Sequence, residues 1–157
     1  VKGGQHAGLF PTHVSCMLAT FHKAPGDKVG EYVLDANDSA TMQVRLENGA
    51  IGVVHASRFA SGHLNDLTLQ LFGTKGGLDV RLDGGVSKLR ASLGDDMPKG
   101  IWVDVETPAV KTNYERFIAA IKGGTQVLPD FARGAALQKV LDLAVASDAA
   151  DAVSLAV

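Results

Sequence analysis

Between residues 40 and 47 the chain alternates strictly: Ala40, Met42, Val44 and Leu46 are interleaved with Thr41, Gln43, Arg45 and Glu47. That is the period-2 pattern of a β-strand with one buried face. Asn48-Gly49 follows at once. The dipeptide suits a type I′ turn, so the spacing predicts a two-residue hairpin loop and a return strand over residues 50–59. Such a loop sets the register, with Leu46 opposite Ile51, Val44 opposite Val53 and Met42 opposite His55. Thr41, Gln43, Arg45 and Glu47 then share the outer face with Gly52, Val54 and Ala56, a half-polar surface open to another layer.

Further strands are expected at 13–22 and at 67–72, where Leu67, Leu69 and Leu71 point to one side. Gly73-Thr74-Lys75-Gly76-Gly77 turns the latter into Leu78, Val80 and Leu82, and Asp83-Gly84-Gly85 turns again into residues 86–89. A strand at 101–105 closes the series. Residues 1–12 show no sustained period and read as a lead-in or linker remnant. The pattern then changes to a helical one. Thr112-Asn113-Tyr114-Glu115 has capping-box spacing, Tyr114, Phe117, Ile118 and Ile121 form an apolar stripe, and Gly123-Gly124 is the stop. A second helix is predicted over 130–149 with Phe131, Leu137, Leu141, Ala144 and Val145 buried, then a last strand over 153–157. Hairpins followed by helices define an α+β class. The expectation is a single domain over 13–157: a large, mostly antiparallel sheet with helices on one face and the other face open for association.

Composition narrows the classes. Of 157 residues, 46% are hydrophobic and 20% charged, enough apolar surface to fold around a core and too much for a disordered chain. Fifteen basic residues against seventeen acidic ones, without a basic cluster, argue against nucleic acid or an anionic membrane as partner. No apolar run reaches a membrane span and no leader pattern is visible, so a soluble, cytoplasmic protein is expected. Cys16 is the single cysteine, in the apolar setting Val14-Ser15-Cys16-Met17-Leu18. It reads as a packing residue in a reducing compartment.

Local chemistry is sparse. The glycines of 73–77 lie between two strands and offer no helix N-terminus to a phosphate, and no G-x-G-x-x-G occurs, so no cofactor-binding residue is assigned. His6, His13, His22, His55 and His63 lack metal-ligand spacing, and no metal is expected. His55 is placed on the buried face of its hairpin. Asp95-Asp96 reads as a solvated loop pair, and no serine-nucleophile signature exists, so no catalytic residue is nominated. His63 falls in the polar turn Ser61-Gly62-His63-Leu64-Asn65-Asp66, where binding groups often sit. Arg58 ends the second strand, as an anion or substrate clamp or as the partner of a surface carboxylate.

Several stretches together resemble the C-terminal domain of the Gfo/Idh/MocA oxidoreductases, the family of glucose-fructose oxidoreductase and inositol dehydrogenase. They are Ala19-Thr20-Phe21-His22-Lys23, Asp38-Ser39-Ala40-Thr41, Glu47-Asn48-Gly49-Ala50-Ile51-Gly52, residues 56–65, residues 71–78, residues 129–134, Gln138-Lys139-Val140-Leu141-Asp142 and Ser147. The resemblance implies a sheet domain whose open face pairs with another subunit, giving a homo-oligomer. It implies bacterial relatives that bind NAD or NADP on an N-terminal Rossmann domain and oxidise or reduce a small-molecule sugar or polyol. The nucleotide fold, the E-K-P lysine motif and the Asp-x-x-x-His proton-transfer pair of that family precede the matched region and are not in this sequence. Hydride transfer needs both a held cofactor and a proton relay, so the chain is expected to be inactive alone. As the substrate-side domain it would contact hydroxyl groups through Arg58, His63 and Asn65 at the loop edge of the sheet. The alternative is a stand-alone, non-catalytic binding or oligomerisation module.

Overall fold

The computed structural model describes residues 10–124 and 128–157. In chain order the strands are β1 (Pro11–Ala19), β2 (Lys28–Val29), β3 (Tyr32–Val33), β4 (Ser39–Leu46), β5 (Ile51–Ser57), β6 (Leu67–Gly73), β7 (Gly76–Asp83), β8 (Val86–Leu93) and β9 (Val103–Asp104). Helices α1 (Asn113–Gly123) and α2 (Phe131–Asp148) and the short strand β10 (Leu155–Ala156) complete the chain. All strand pairs are antiparallel, the α+β class expected. In place of one broad sheet there are two four-stranded sheets, ordered β10-β1-β4-β5 and β6-β7-β8-β9, and a β2-β3 ribbon. Among the described residues they belong to two compact units, residues 10–59 with 124 and 128–157, and residues 60–123.

In the first unit β1 begins at Pro11, inside the predicted lead-in; residues 1–9 of that lead-in lie outside the described residues. The β4–β5 hairpin departs from expectation by one residue. Arg45, Val44, Gln43, Met42 and Thr41 stand opposite Ile51, Gly52, Val53, Val54 and His55. The reason lies in the turn. The Gly49 N–H donates to the Leu46 carbonyl (2.9 Å) and the Leu46 N–H to the Ala50 carbonyl (2.8 Å), which makes Glu47-Asn48-Gly49 a three-residue loop. Only Gly49 has positive φ, at 83°, the type I turn plus left-handed glycine of the next commonest hairpin. Asn48 instead accepts the Ala50 N–H on its side chain at 3.0 Å. A one-residue slip exchanges faces: His55 leaves the Met42 side and shares the outer face with Thr41, Gln43 and Val53.

The inner face packs on α2. Val14, Cys16, Val140 and Ala144 form the buried cluster, flanked by Leu18, Ala40, Met42, Val44, Leu143 and Val157. The helix starts at the N-cap Asp130, whose side chain accepts the Arg133 N–H. Its buried face is Val140, Ala144 and Ser147. Of the predicted stripe only Ala144 is buried, whereas Phe131, Leu137, Leu141 and Val145 are exposed. Apolar residues surround this helix, so periodicity does not single out one face, and small side chains let it approach the sheet closely.

In the second unit Leu67, Leu69 and Leu71 stand opposite Leu82, Val80 and Leu78, an apolar face as predicted. The polar face carries a ladder across all four strands: Gln70 opposite Asp79, Asp79 opposite Arg90, Arg90 opposite Asp104. Trp102 packs on this sheet where Gly77 leaves room; a β-carbon there would lie 2.8 Å from the indole. Helix α1 begins with the capping box. The Thr112 hydroxyl accepts the Glu115 N–H at 3.2 Å, and the Glu115 carboxylate accepts both the N–H and the hydroxyl of Thr112 at 2.8 Å. Those bonds from Thr112, with the charge of Lys111, hold the Glu115 carboxyl below its usual range. The stripe Tyr114, Phe117, Ile118 and Ile121, expected to pack, is exposed. Among the described residues no helix is long and apolar enough to cross a membrane.

Candidate functional site

The ends of β1, β4 and β5 meet at one carboxylate. Asp38, 8% exposed, precedes β4. Its N–H donates to the Ala19 carbonyl (2.7 Å), and its own carbonyl accepts the Arg58 N–H (2.9 Å). The side chain accepts the Phe21 N–H at 2.8 Å and pairs with the Lys23 ammonium at 3.0 Å. Lys23 also donates to the Ala36 carbonyl at 2.6 Å. Burial pushes the Asp38 carboxyl upward, but the Phe21 N–H, Lys23 and the nearby Arg58 charge outweigh it and leave it below the usual carboxylate range. It therefore stays ionised and fixes the backbone that carries Arg58.

Around it, the Ser39 and Ser57 hydroxyls share a hydrogen bond of 2.7 Å, and the Ser57 hydroxyl accepts the Phe59 N–H at 3.0 Å. Phe21 and Phe59 meet edge to face with centroids 5.4 Å apart. Both remain about half exposed, at 47% and 50%. Arg58 is exposed, and no ion pair fixes its guanidinium among the described residues. The edge thus offers planar donors from a rigid backbone beside accessible aromatic surface, a combination suited to hydroxyl groups and the apolar face of a sugar ring.

His63 and Asn65 lie together in an exposed turn of the second unit, and Arg58 belongs to the first. The His63 Nδ1 pairs with the Asp66 carboxylate. That contact orients the ring of His63. The Asp38–Lys23 cluster was not singled out from the sequence: its two charges are fifteen positions apart, and only pairing of β1 with β4 joins them. Cys16 is buried as predicted; burial, then the Asp148 charge, raises its thiol pKa.

Among the described residues no three of His, Cys, Asp and Glu are placed to hold a metal ion. A dinucleotide does not fit the residues present either. The glycines around residues 73–77 join β6 to β7, strand to strand, and among the described residues no parallel strand pair frames a helix N-terminus.

The first unit is thus a sheet of antiparallel hairpins backed by α2, with Arg58 exposed at its loop edge. Comparison with known proteins places this architecture. Residues 6–79 match the family model described as GFO/IDH/MocA C-terminal domain. Levoglucosan dehydrogenase, in complex with NADH and levoglucosan, superposes with a TM-score of 0.75 and 25% identity, over 94% of this chain and 45% of that one. Aldose-aldose oxidoreductase from Caulobacter crescentus, complexed with glycerol, gives 0.72 and 16% over 95% of this chain and 42% of that one. An oxidoreductase domain protein from Kribbella flavida gives 0.72 and 21% over 93% and 46%. The chain therefore spans less than half the length of these structures, two of them named as oxidoreductases and one as a dehydrogenase. No curated protein matches the chain.

Proposed function

We propose that this chain is the substrate-side and assembly domain of an NAD- or NADP-dependent sugar or polyol dehydrogenase, acting together with a nucleotide-binding Rossmann domain. The observation that carries the reading is the superposition of 94% of the chain on levoglucosan dehydrogenase in complex with NADH and levoglucosan. In this reading NAD(H) supplies the hydride chemistry from the other domain. This chain's residues bind and orient: Arg58 donates to substrate hydroxyls from the edge that Asp38 fixes. Exposed Met17, Ile51 and Val53 on the outer face of the first sheet pair with a second copy, since a sheet face of this kind gains by recruiting another layer.

The test is expression from the complete reading frame, followed by an assay of NAD and NADP reduction against a panel of sugars, anhydrosugars and polyols. Turnover with at least one member is expected, and Arg58→Ala should raise KM more than it lowers kcat. A folded product that reduces neither cofactor with any member of the panel overturns the reading in favour of a non-catalytic module.

A further inference from the structure

The polar face of the second sheet breaks a rule of strand pairing. Arg81 on β7 stands directly opposite Lys88 on β8, and like charges in that position destabilise a ladder. The neighbouring carboxylate offsets part of the Arg81 charge and leaves Lys88 unpaired among the described residues. Asp79, 4% exposed, grips Arg81 through Nε (3.2 and 3.3 Å) and Nη2 (3.0 Å). A guanidinium carries five N–H donors, so three on Arg81 remain. Lys88 is exposed and makes no ion pair among the described residues. Arg90 lies with its guanidinium 5.8 Å from the ring centroid of Trp102. These groups, with Asp104, line one cleft of about 630 Å³, within the size range of small-molecule sites.

We propose that this cleft binds the oxyanion group of a small ligand, a phosphate ester or a sugar carboxylate, between the Arg81 fork and the Lys88 ammonium. The Asp79 grip holds Arg81 in place before the ligand arrives, so little rotamer entropy is lost on binding. The anion removes the Arg81–Lys88 repulsion, and that gain is absent from the empty sheet. Three cations against two carboxylates leave the cleft with an excess positive charge, and Asp104 stands on the far side of Arg90 from Asp79. Arg90 resting on the indole ties occupancy to an optical signal, because Trp102 is the single tryptophan of the chain.

Inorganic phosphate and gluconate are titrated separately at constant ionic strength balanced with chloride, and Trp102 emission and binding heat are recorded. A saturable response is expected for at least one. The Lys88→Gln variant, relieved of the like-charge opposition, should melt no lower than the parent and lose affinity about tenfold, the order set by one charge-assisted hydrogen bond. Tighter phosphate binding assigns a phosphoryl ligand; tighter gluconate binding assigns a carboxylate. No saturable signal in either emission or heat overturns the proposal. So does equal affinity in Lys88→Gln, or a response that chloride alone reproduces. None of these readouts depends on dehydrogenase activity.

Discussion

Ser147 on α2 completes the hydrogen bonding of Cys16 on β1. Its hydroxyl accepts the Cys16 N–H at 3.0 Å and donates to the Val153 carbonyl at 2.6 Å, with no exposure to solvent. β10 pairs with β1 only at His13 and Val14. Beyond it the outward N–H groups of β1 meet the end of the helix, Cys16 at Ser147 and Leu18 at the Asp148 carboxylate (2.8 Å). The helix terminus thereby covers what would be an open strand edge. Ser147→Ala leaves a buried N–H and a carbonyl without partners, and unfolding in urea should show a loss of about 2 kcal/mol. A loss under a few tenths would mean that water replaces the hydroxyl.

Asp38 ties stability to acid. Its carboxyl sits below the ordinary aspartate range in the folded chain, so its contribution is present above the unfolded-state value and is lost as pH falls toward the folded one. Asp38→Asn should therefore destabilise near neutrality and matter much less near pH 3, a convergence readable from urea midpoints at the two conditions. Parallel curves at both would show that the Lys23 pairing contributes nothing.

Gly77 sets the seat of Trp102. A methyl group there must displace the indole from 2.8 Å, since β-carbons do not approach so closely. Gly77→Ala should shift Trp102 emission and cost about 1–3 kcal/mol, the range for overpacking. Unchanged emission would place the ring elsewhere.

The self-association proposed above depends on the register observed. Because Val53 stands opposite Gln43, it faces outward at 70% exposure, close in the sheet to Ile51 at 81%. Val53→Glu should convert an oligomer to monomer in light scattering while the melting temperature of the isolated chain changes little. An oligomer that persists in the variant would move the contact to another surface.

Features determined within a few residues were legible in the sequence. The Thr112–Glu115 capping box, the alternation of β4 and the glycine turns around β7 all form through contacts of short sequence separation, and each is found where the pattern placed it. The family resemblance also rests on such short stretches, in their order. The β4–β5 register was not legible, because Asn-Gly serves both a two-residue and a three-residue loop, and the difference moved His55 to the other face. Nor was the inner face of α2: its large side chains mark one stripe, but close approach to β1 and the unmet Cys16 N–H select Val140, Ala144 and Ser147.

The candidate sites divide the same way. Arg58, His63 and Asn65 drew attention from their places at a strand end and in a turn. The Asp38–Lys23 pair and the Arg81–Lys88 opposition exist only once strands pair. What the amino acids determined alone is the class of domain and its element order, since period and turn chemistry act locally. Which charges meet, which helix face is buried and which hydroxyl closes an edge were decided by tertiary structure, because strand pairing brings distant groups within hydrogen-bonding distance and a slip of one residue reverses a whole face.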